Sequence, residues 1–357
     1  MNEKSSLRLP NSCFDNLKSK TCPEPCRRIQ NRKLVGFIAL VVALTMCGAR
    51  VEAQQPGKIP RIGVLTAGTS SSNETRVEAF RLGLREAGYI EGKNITIEYR
   101  YAGVTLDRLP TLASELVRLQ VDVIVASGNQ AITAAKQSTT TIPIVMATSG
   151  DAVRQGFVAT LARPGGNVTG LTLQSPELSG KRLELLIEVV PKLSLVAVLL
   201  KPGNLLHAFT WKETEAAAQA LKVKLQSVEV RESEEFESAF GAMARSRAGA
   251  LIVPLEPTFN NQIERIVNLA TKHRLPGMYA DRGYVDAGGT MAYGASVTNT
   301  WRRAATYVDK IIKGAMPADL PVEQPTKFEL QINLKAAKQI GLTIPPNVLA
   351  RADRVIK

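Results

Sequence analysis

The chain has 357 residues, a formal net charge of +13, 45% hydrophobic residues and 22% charged residues. That balance supports about two packed domains and excludes a disordered or fibrous chain. Basic residues are dispersed, with no run beyond pairs such as Lys181-Arg182 and Arg302-Arg303 and no interleaved aromatic motif, which argues against a nucleic-acid-binding surface.

Arg27, Arg28, Arg32 and Lys33 precede the apolar stretch Leu34–Met46. The stretch is short for a membrane span and right for a signal-peptide core. Val51-Glu52-Ala53 offers small residues at the −3 and −1 positions and predicts cleavage after Ala53, so residues 1–53 read as a leader and 54–60 as a linker. A lipoprotein box ending at Cys47 is disfavoured by the bulk of Met46, and Ile29-Gln30-Asn31 fits a twin-arginine signal poorly. An uncleaved anchor is the remaining alternative. The leader holds all four cysteines (Cys13, Cys22, Cys26 and Cys47) and +5 of the charge, leaving +8 on residues 54–357. A chain of this size can be exported without disulfides because it builds its own core.

The elements follow in order. Arg61–Thr66 reads as a strand and Ala67–Asn73 as a small-residue loop at its carboxyl end. Glu74–Gly88 has helical spacing at Val77, Phe80, Leu84 and Ala87, with Gly88 as its stop. Ile95–Tyr101 alternates as a strand and Leu109–Leu119 is a helix. The central stretch Val121–Asp151 reads as strand, tight turn, helix, strand, tight turn, which is a βαβ unit with a right-handed crossover. Ala152–Ala162 reads as a helix and Asn167–Leu173 as a strand crossing to a second lobe. The pattern then restarts: helix Ser179–Val190, strand Leu195–Leu200, helix Phe209–Leu221, strand Lys224–Val230, helix Glu234–Ala244, strand Ala250–Pro254, helix Gln262–His273, short strand Gly277–Ala280. Met291–Gly294, Thr300–Lys313, Thr326–Ile332 and Leu334–Ile340 add two strands and two helices, and a short helix after Pro345-Pro346 closes the chain. The fold class is therefore α/β, with two lobes of similar size.

Parallel strands place their following turns at one sheet edge, where open α/β sheets bind ligands. Ser127–Gln130 also opens a helix, so free N–H groups and the positive dipole end suit a carboxylate there. The competing reading is that Ser127 or Asn129 is an N-cap. Several catalytic and cofactor signatures are missing. Ala287–Thr290 and Arg163–Asn167 do not fit a dinucleotide fingerprint, and there is no phosphate-binding lysine loop and no nucleophile elbow. His207 and His273 stand apart in sequence and read as ordinary residues. No cofactor, metal or catalytic set is expected.

Residues 60–357 resemble the ABC-transporter substrate-binding proteins of the tryptophan/tyrosine-binding type. The resemblance rests on Gly83–Ala102 (GLREAGYIEGKNITIEYRYA), Val121–Gly128 (VDVIVASG) and Ile142–Val153 (IPIVMATSGDAV). It continues through Leu161–Thr172 (LARPGGNVTGLT), Ala287–Gly294 (AGGTMAYG) and Phe328–Pro346 (FELQINLKAAKQIGLTIPP). It implies the type I periplasmic-binding-protein fold: two Rossmann-like lobes joined by a three-stranded hinge, with the ligand cleft between them. The crossings are expected near Leu171–Leu173, Tyr279–Asp281 and Pro321–Pro325, dividing the chain into 61–170 with 281–322 and 171–280 with 323–357. The implied role is extracytoplasmic capture of a small polar or amino-acid-like solute by a monomer that delivers it to an ABC permease and its ATPase. A ligand-sensing partner of a membrane receptor is the alternative, and an enzyme using the same cleft is weakly supported. Where relatives carry a small residue plus proline in the central turn, this chain has Asn129-Gln130.

The expected ligand residues on the first lobe are Thr69, Ser70, Ser127, Gly128, Asn129, Gln130, Ser149, Gly150 and Asp151. Asp151 has two readings, as partner of a ligand amino group or as a helix cap. From the second lobe come Asn204, Glu256, Tyr279 and Tyr293, all at predicted strand ends. The tyrosines stack on an apolar ligand or pack at the hinge.

Overall fold

The computed structural model describes residues 58–103, 105–173 and 175–357. The leader, its cleavage site and the four cysteines lie outside the described residues.

The first lobe winds through β1 (Arg61–Thr66), α1 (Ser70–Glu86), β2 (Thr96–Tyr101), α2 (Leu109–Arg118), β3 (Val123–Ser127), α3 (Asn129–Ser138), β4 (Ile144–Thr148) and β5 (Val168–Gly170). Its strands are parallel in the order β2-β1-β3-β4-β5. Every residue of β3 and β4 is buried, as expected for a sheet covered on both faces.

The second lobe contains α4 (Ser179–Val189), β6 (Leu195–Leu200), α5 (Leu205–Leu221), β7 (Lys224–Glu229), α6 (Phe236–Arg245), β8 (Ala250–Val253), α7 (Pro257–Asn260), α8 (Ile263–Lys272), β9 (Gly277–Tyr279), α9 (Gly283–Asp286) and β10 (Met291–Ala295). The chain returns to the first lobe as α10 (Val297–Ile312). It then completes the second lobe with β11 (Phe328–Asn333), α11 (Leu334–Gln339), α12 (Pro346–Leu349) and β12 (Arg354–Ile356). The second sheet runs β12-β11-β10-β9-β8-β6-β7, and only the β10–β11 pair is antiparallel. Two apolar clusters flank each sheet.

Helix α10 is pinned to the first lobe by Trp301, fully buried edge-on to Phe80 with ring centroids 6.4 Å apart. Its approach to α1 is close: a Cβ on Gly83 would fall on the Arg302 carbonyl oxygen. The sequence placed the second crossing at Tyr279–Asp281 and residues 281–322 in the first lobe. Instead β10 pairs with β9 through Met291↔Met278 and Ala292↔Tyr279, so the chain stays in the second sheet until Ala295 and crosses at Ser296, the N-cap of α10. The other two crossings lie side by side, with Thr172 N–H donating to the Glu323 carbonyl and Glu323 N–H to that of Gly170. A second expectation fails at Ala152–Ala162, which forms turns rather than a helix. Asp151 starts one turn by accepting from the N–H groups of Val153 and Arg154, and Gly156 ends it at φ +68°.

Arg182, on α4, is a buried cation beside the hinge. Its Nε donates to the Tyr293 carbonyl at 2.8 Å and its Nη1 to the Ser175 carbonyl at 2.9 Å. Burial pulls its pKa down to about 10. These two carbonyls flank two of the three crossings, so one side chain sets their separation. Arg182→Leu should therefore lower the unfolding free energy by about 2 to 4 kcal/mol, measured by urea denaturation. A loss of about 0.5 kcal/mol or less, typical of a surface substitution, would mean the carbonyls find other donors.

Candidate functional site

The carboxyl ends of β1, β3 and β4 face those of β6, β8 and β9 across one cleft, which holds a cavity of about 100 Å³. A single buried water needs only about 10–15 Å³, so the space is that of a small solute.

On the first lobe, Ser127 Oγ and Thr148 Oγ1 lie 2.8 Å apart and tie the ends of β3 and β4 together. Gly128 then takes φ +88°, a conformation costly for other residues, and α3 begins at Asn129. No side chain caps α3. The cap reading of this turn therefore fails, and the first N–H groups of a ten-residue helix open on the cleft. Asn129 instead accepts through Oδ1 from Gly150 N–H at 3.0 Å, joining two cleft loops. Its Nδ2 and Ser149 Oγ are buried with no hydrogen-bond partner among the described residues.

On the second lobe, Glu256 is fully buried and caps α7, accepting from Thr258 Oγ1 at 3.1 Å and Thr258 N–H at 3.3 Å. Asn204 caps α5 through Oδ1 and donates from Nδ2 to Glu256 Oε2. Asn260 lines the same wall and its Oδ1 is buried without a partner. A charge pair spans the cleft: Arg76 Nη2 of α1 lies 2.8 Å from Asp281 Oδ2, whose other oxygen accepts from Gly283 N–H.

Of the residues expected from sequence, Ser127, Gly128, Asn129, Gln130, Ser149, Gly150, Asn204 and Glu256 line the cavity. Five do not. Thr69 and Ser70 form the exposed start of α1, because a capping box between Thr69 and Ser72 begins that helix four residues earlier than expected. Asp151 is occupied by the N–H groups of Val153 and Arg154, which start a turn, and by the Arg154 guanidinium 3.3 Å away. Tyr279 is buried in the second-lobe core, stacked on Tyr284 at 4.5 Å, and Tyr293 packs against Phe328. Sequence reasoning missed Asn73, Arg76, Asn260, Asn261 and Asp281. Asn260 and Asn261 fall between the expected strand Ala250–Pro254 and the expected helix Gln262–His273. Arg76 was hidden by the late helix start, and Asp281 by its assignment to the hinge.

His207 supports Glu256 from behind. Its Nδ1 accepts from Lys201 N–H at 2.7 Å, so the ring proton sits on Nε2, 3.2 Å from the Leu255 carbonyl. Burial lowers its pKa below the ordinary 6.5, against the opposing pull of Glu256 3.8 Å away. The unfolded chain takes up this proton near pH 6.5 while the folded chain resists it, so stability falls as pH drops below that value. His207→Gln should flatten the decline in urea midpoint between pH 7.5 and 5.5, and a decline as steep as in the parent would show that other groups cause it.

Three similarities complete the description. A chain described as a tyrosine-binding protein from Clostridioides difficile (strain R20291) is 24% identical over 286 residues, covering 80% of this chain and 82% of its own. A conserved domain protein of Vibrio cholerae O1 biovar El Tor superposes with a TM-score of 0.78 at 29% identity, covering 84% of this chain and all of that one. An ABC domain from Streptococcus pneumonia, solved with L-Trp, superposes with a TM-score of 0.78 at 25% identity, covering 83% of this chain and 99% of that one. The model of the ABC transporter substrate binding protein family matches residues 61–356, nearly all of the described chain, and the chain belongs to that family.

Proposed function

We propose that this protein is the extracytoplasmic solute-binding subunit of an ABC importer and that its solute is a zwitterionic amino acid held between the lobes. The observation that carries the reading is a cleft with opposite polarity on its two walls. The uncapped N-terminus of α3, with Asn129 and Ser149 beside it, suits a carboxylate. The buried Glu256 carboxylate opposite, with Asn260 Oδ1 near it, suits an ammonium group. A solute spanning both walls favours the closed form, because only a contact that differs between states shifts their populations. The amino-acid ligands named for two relatives agree with this head-group chemistry. Closure would present a changed surface to the permease, and the sequence of residues 1–53 supports export through a cleaved signal peptide, with the chain acting as a monomer.

Isothermal titration with a panel of L-amino acids tests the reading. A binding amino acid should lose about 10- to 100-fold in affinity with Glu256→Gln, the worth of one charge-assisted hydrogen bond. Asn129→Ala should weaken it in the same direction, with both variants retaining the parent's circular dichroism. Unchanged affinity in both variants would place the solute elsewhere.

A further inference from the structure

The size and lining of the closed cleft say more about the solute, given the amino-acid reading above. The two lobes touch one another around the cleft at several points. A Cβ on Gly150 would overlap the side chain of Leu206 opposite, and one on Gly128 would touch Pro257 at 3.5 Å. Arg76 meets Asp281 at one margin. At another, Arg154 reaches across to Glu213 at 3.3 Å and lies over the Phe209 ring. The space of about 100 Å³ lies between lobes that already touch. A buried cavity that accepts benzene measures about 150 Å³, so this smaller one favours a side chain smaller than an aromatic ring. Its apolar wall is made of Leu173, Leu206, Leu255, Pro257, Ile263 and Val297, and no aromatic ring lines it among the described residues. Stacking is therefore not provided, while aliphatic contact is.

We infer that the solute is an α-amino acid with a small aliphatic side chain, and that the bulk of Leu255 and Leu206 is what excludes aromatic amino acids. This rests on the zwitterion reading, but it fails separately.

The experiment is isothermal titration of the full protein with L-alanine, L-valine, L-leucine, L-phenylalanine, L-tyrosine and L-tryptophan. At least one aliphatic member should bind about tenfold or more tightly than every aromatic one, the penalty expected for overfilling a packed site. Leu255→Ala should narrow that ratio by improving aromatic binding while leaving the parent's thermal unfolding profile cooperative. Tyrosine or tryptophan binding as tightly as the best aliphatic amino acid overturns this inference and leaves the amino-acid reading intact. Binding by none of the six overturns this inference, and binding by no member of the wider amino-acid panel overturns the zwitterion reading as well.

Discussion

Closing two lobes over a polar cleft strands hydrogen-bonding groups away from water, and that constraint organises the molecule. Asn129 Nδ2, Ser149 Oγ and Asn260 Oδ1 are all buried in residues lining the cleft and lack a partner among the described residues. Each such group costs about 1–3 kcal/mol when left unsatisfied. The cross-cleft ion pairs offset part of this, unevenly. Arg154–Glu213 is about 41% exposed on both sides, so it contributes little, whereas Arg76–Asp281 is mostly buried. The cleft is thus polar and incompletely satisfied, and under the proposed function a solute bridging its two walls would supply the missing partners.

The fold serves that arrangement by topology. Right-handed crossovers bring every parallel strand end to the same edge of its sheet, and the two edges face each other. Three crossings connect them. Two run as neighbours through Leu171 and Glu323, with the Glu323 carboxylate accepting from Arg303 Nε and Nη2, each at 2.8 Å. The third leaves β10 at Ala295. Arg182 joins the flanks of the first and third from inside the second lobe, which couples the hinge to a packed helix rather than to solvent.

Much of this was legible in the sequence because buried parallel strands are short apolar runs. Leu195–Leu200 has the same bounds in sequence and structure, and the strand-end rule alone picked out Ser127–Gln130, Ser149, Gly150, Asn204 and Glu256. What was hidden depended on tertiary context. Tyr279 ends β9 and Tyr293 lies within β10, but no local pattern reveals that stacking on Tyr284 and packing on Phe328 turn them from the cleft. Asp151 had two chemically equal uses, and the local backbone N–H groups claimed it. Arg76 and Asp281 are 205 residues apart, and only the closed lobes make them a pair. The return of α10 to the first lobe was visible as a helix, but the residue at which the chain crosses was set by sheet pairing of β10 with β9.

The most direct measurement is a crystal structure of the protein grown with the amino acid that calorimetry ranks first. The account predicts density in the interlobe cavity, with the carboxylate at the first N–H groups of α3 and the ammonium group within hydrogen-bond reach of Glu256. Density at another surface, or a head group placed away from both walls while binding is measurable in solution, would contradict it.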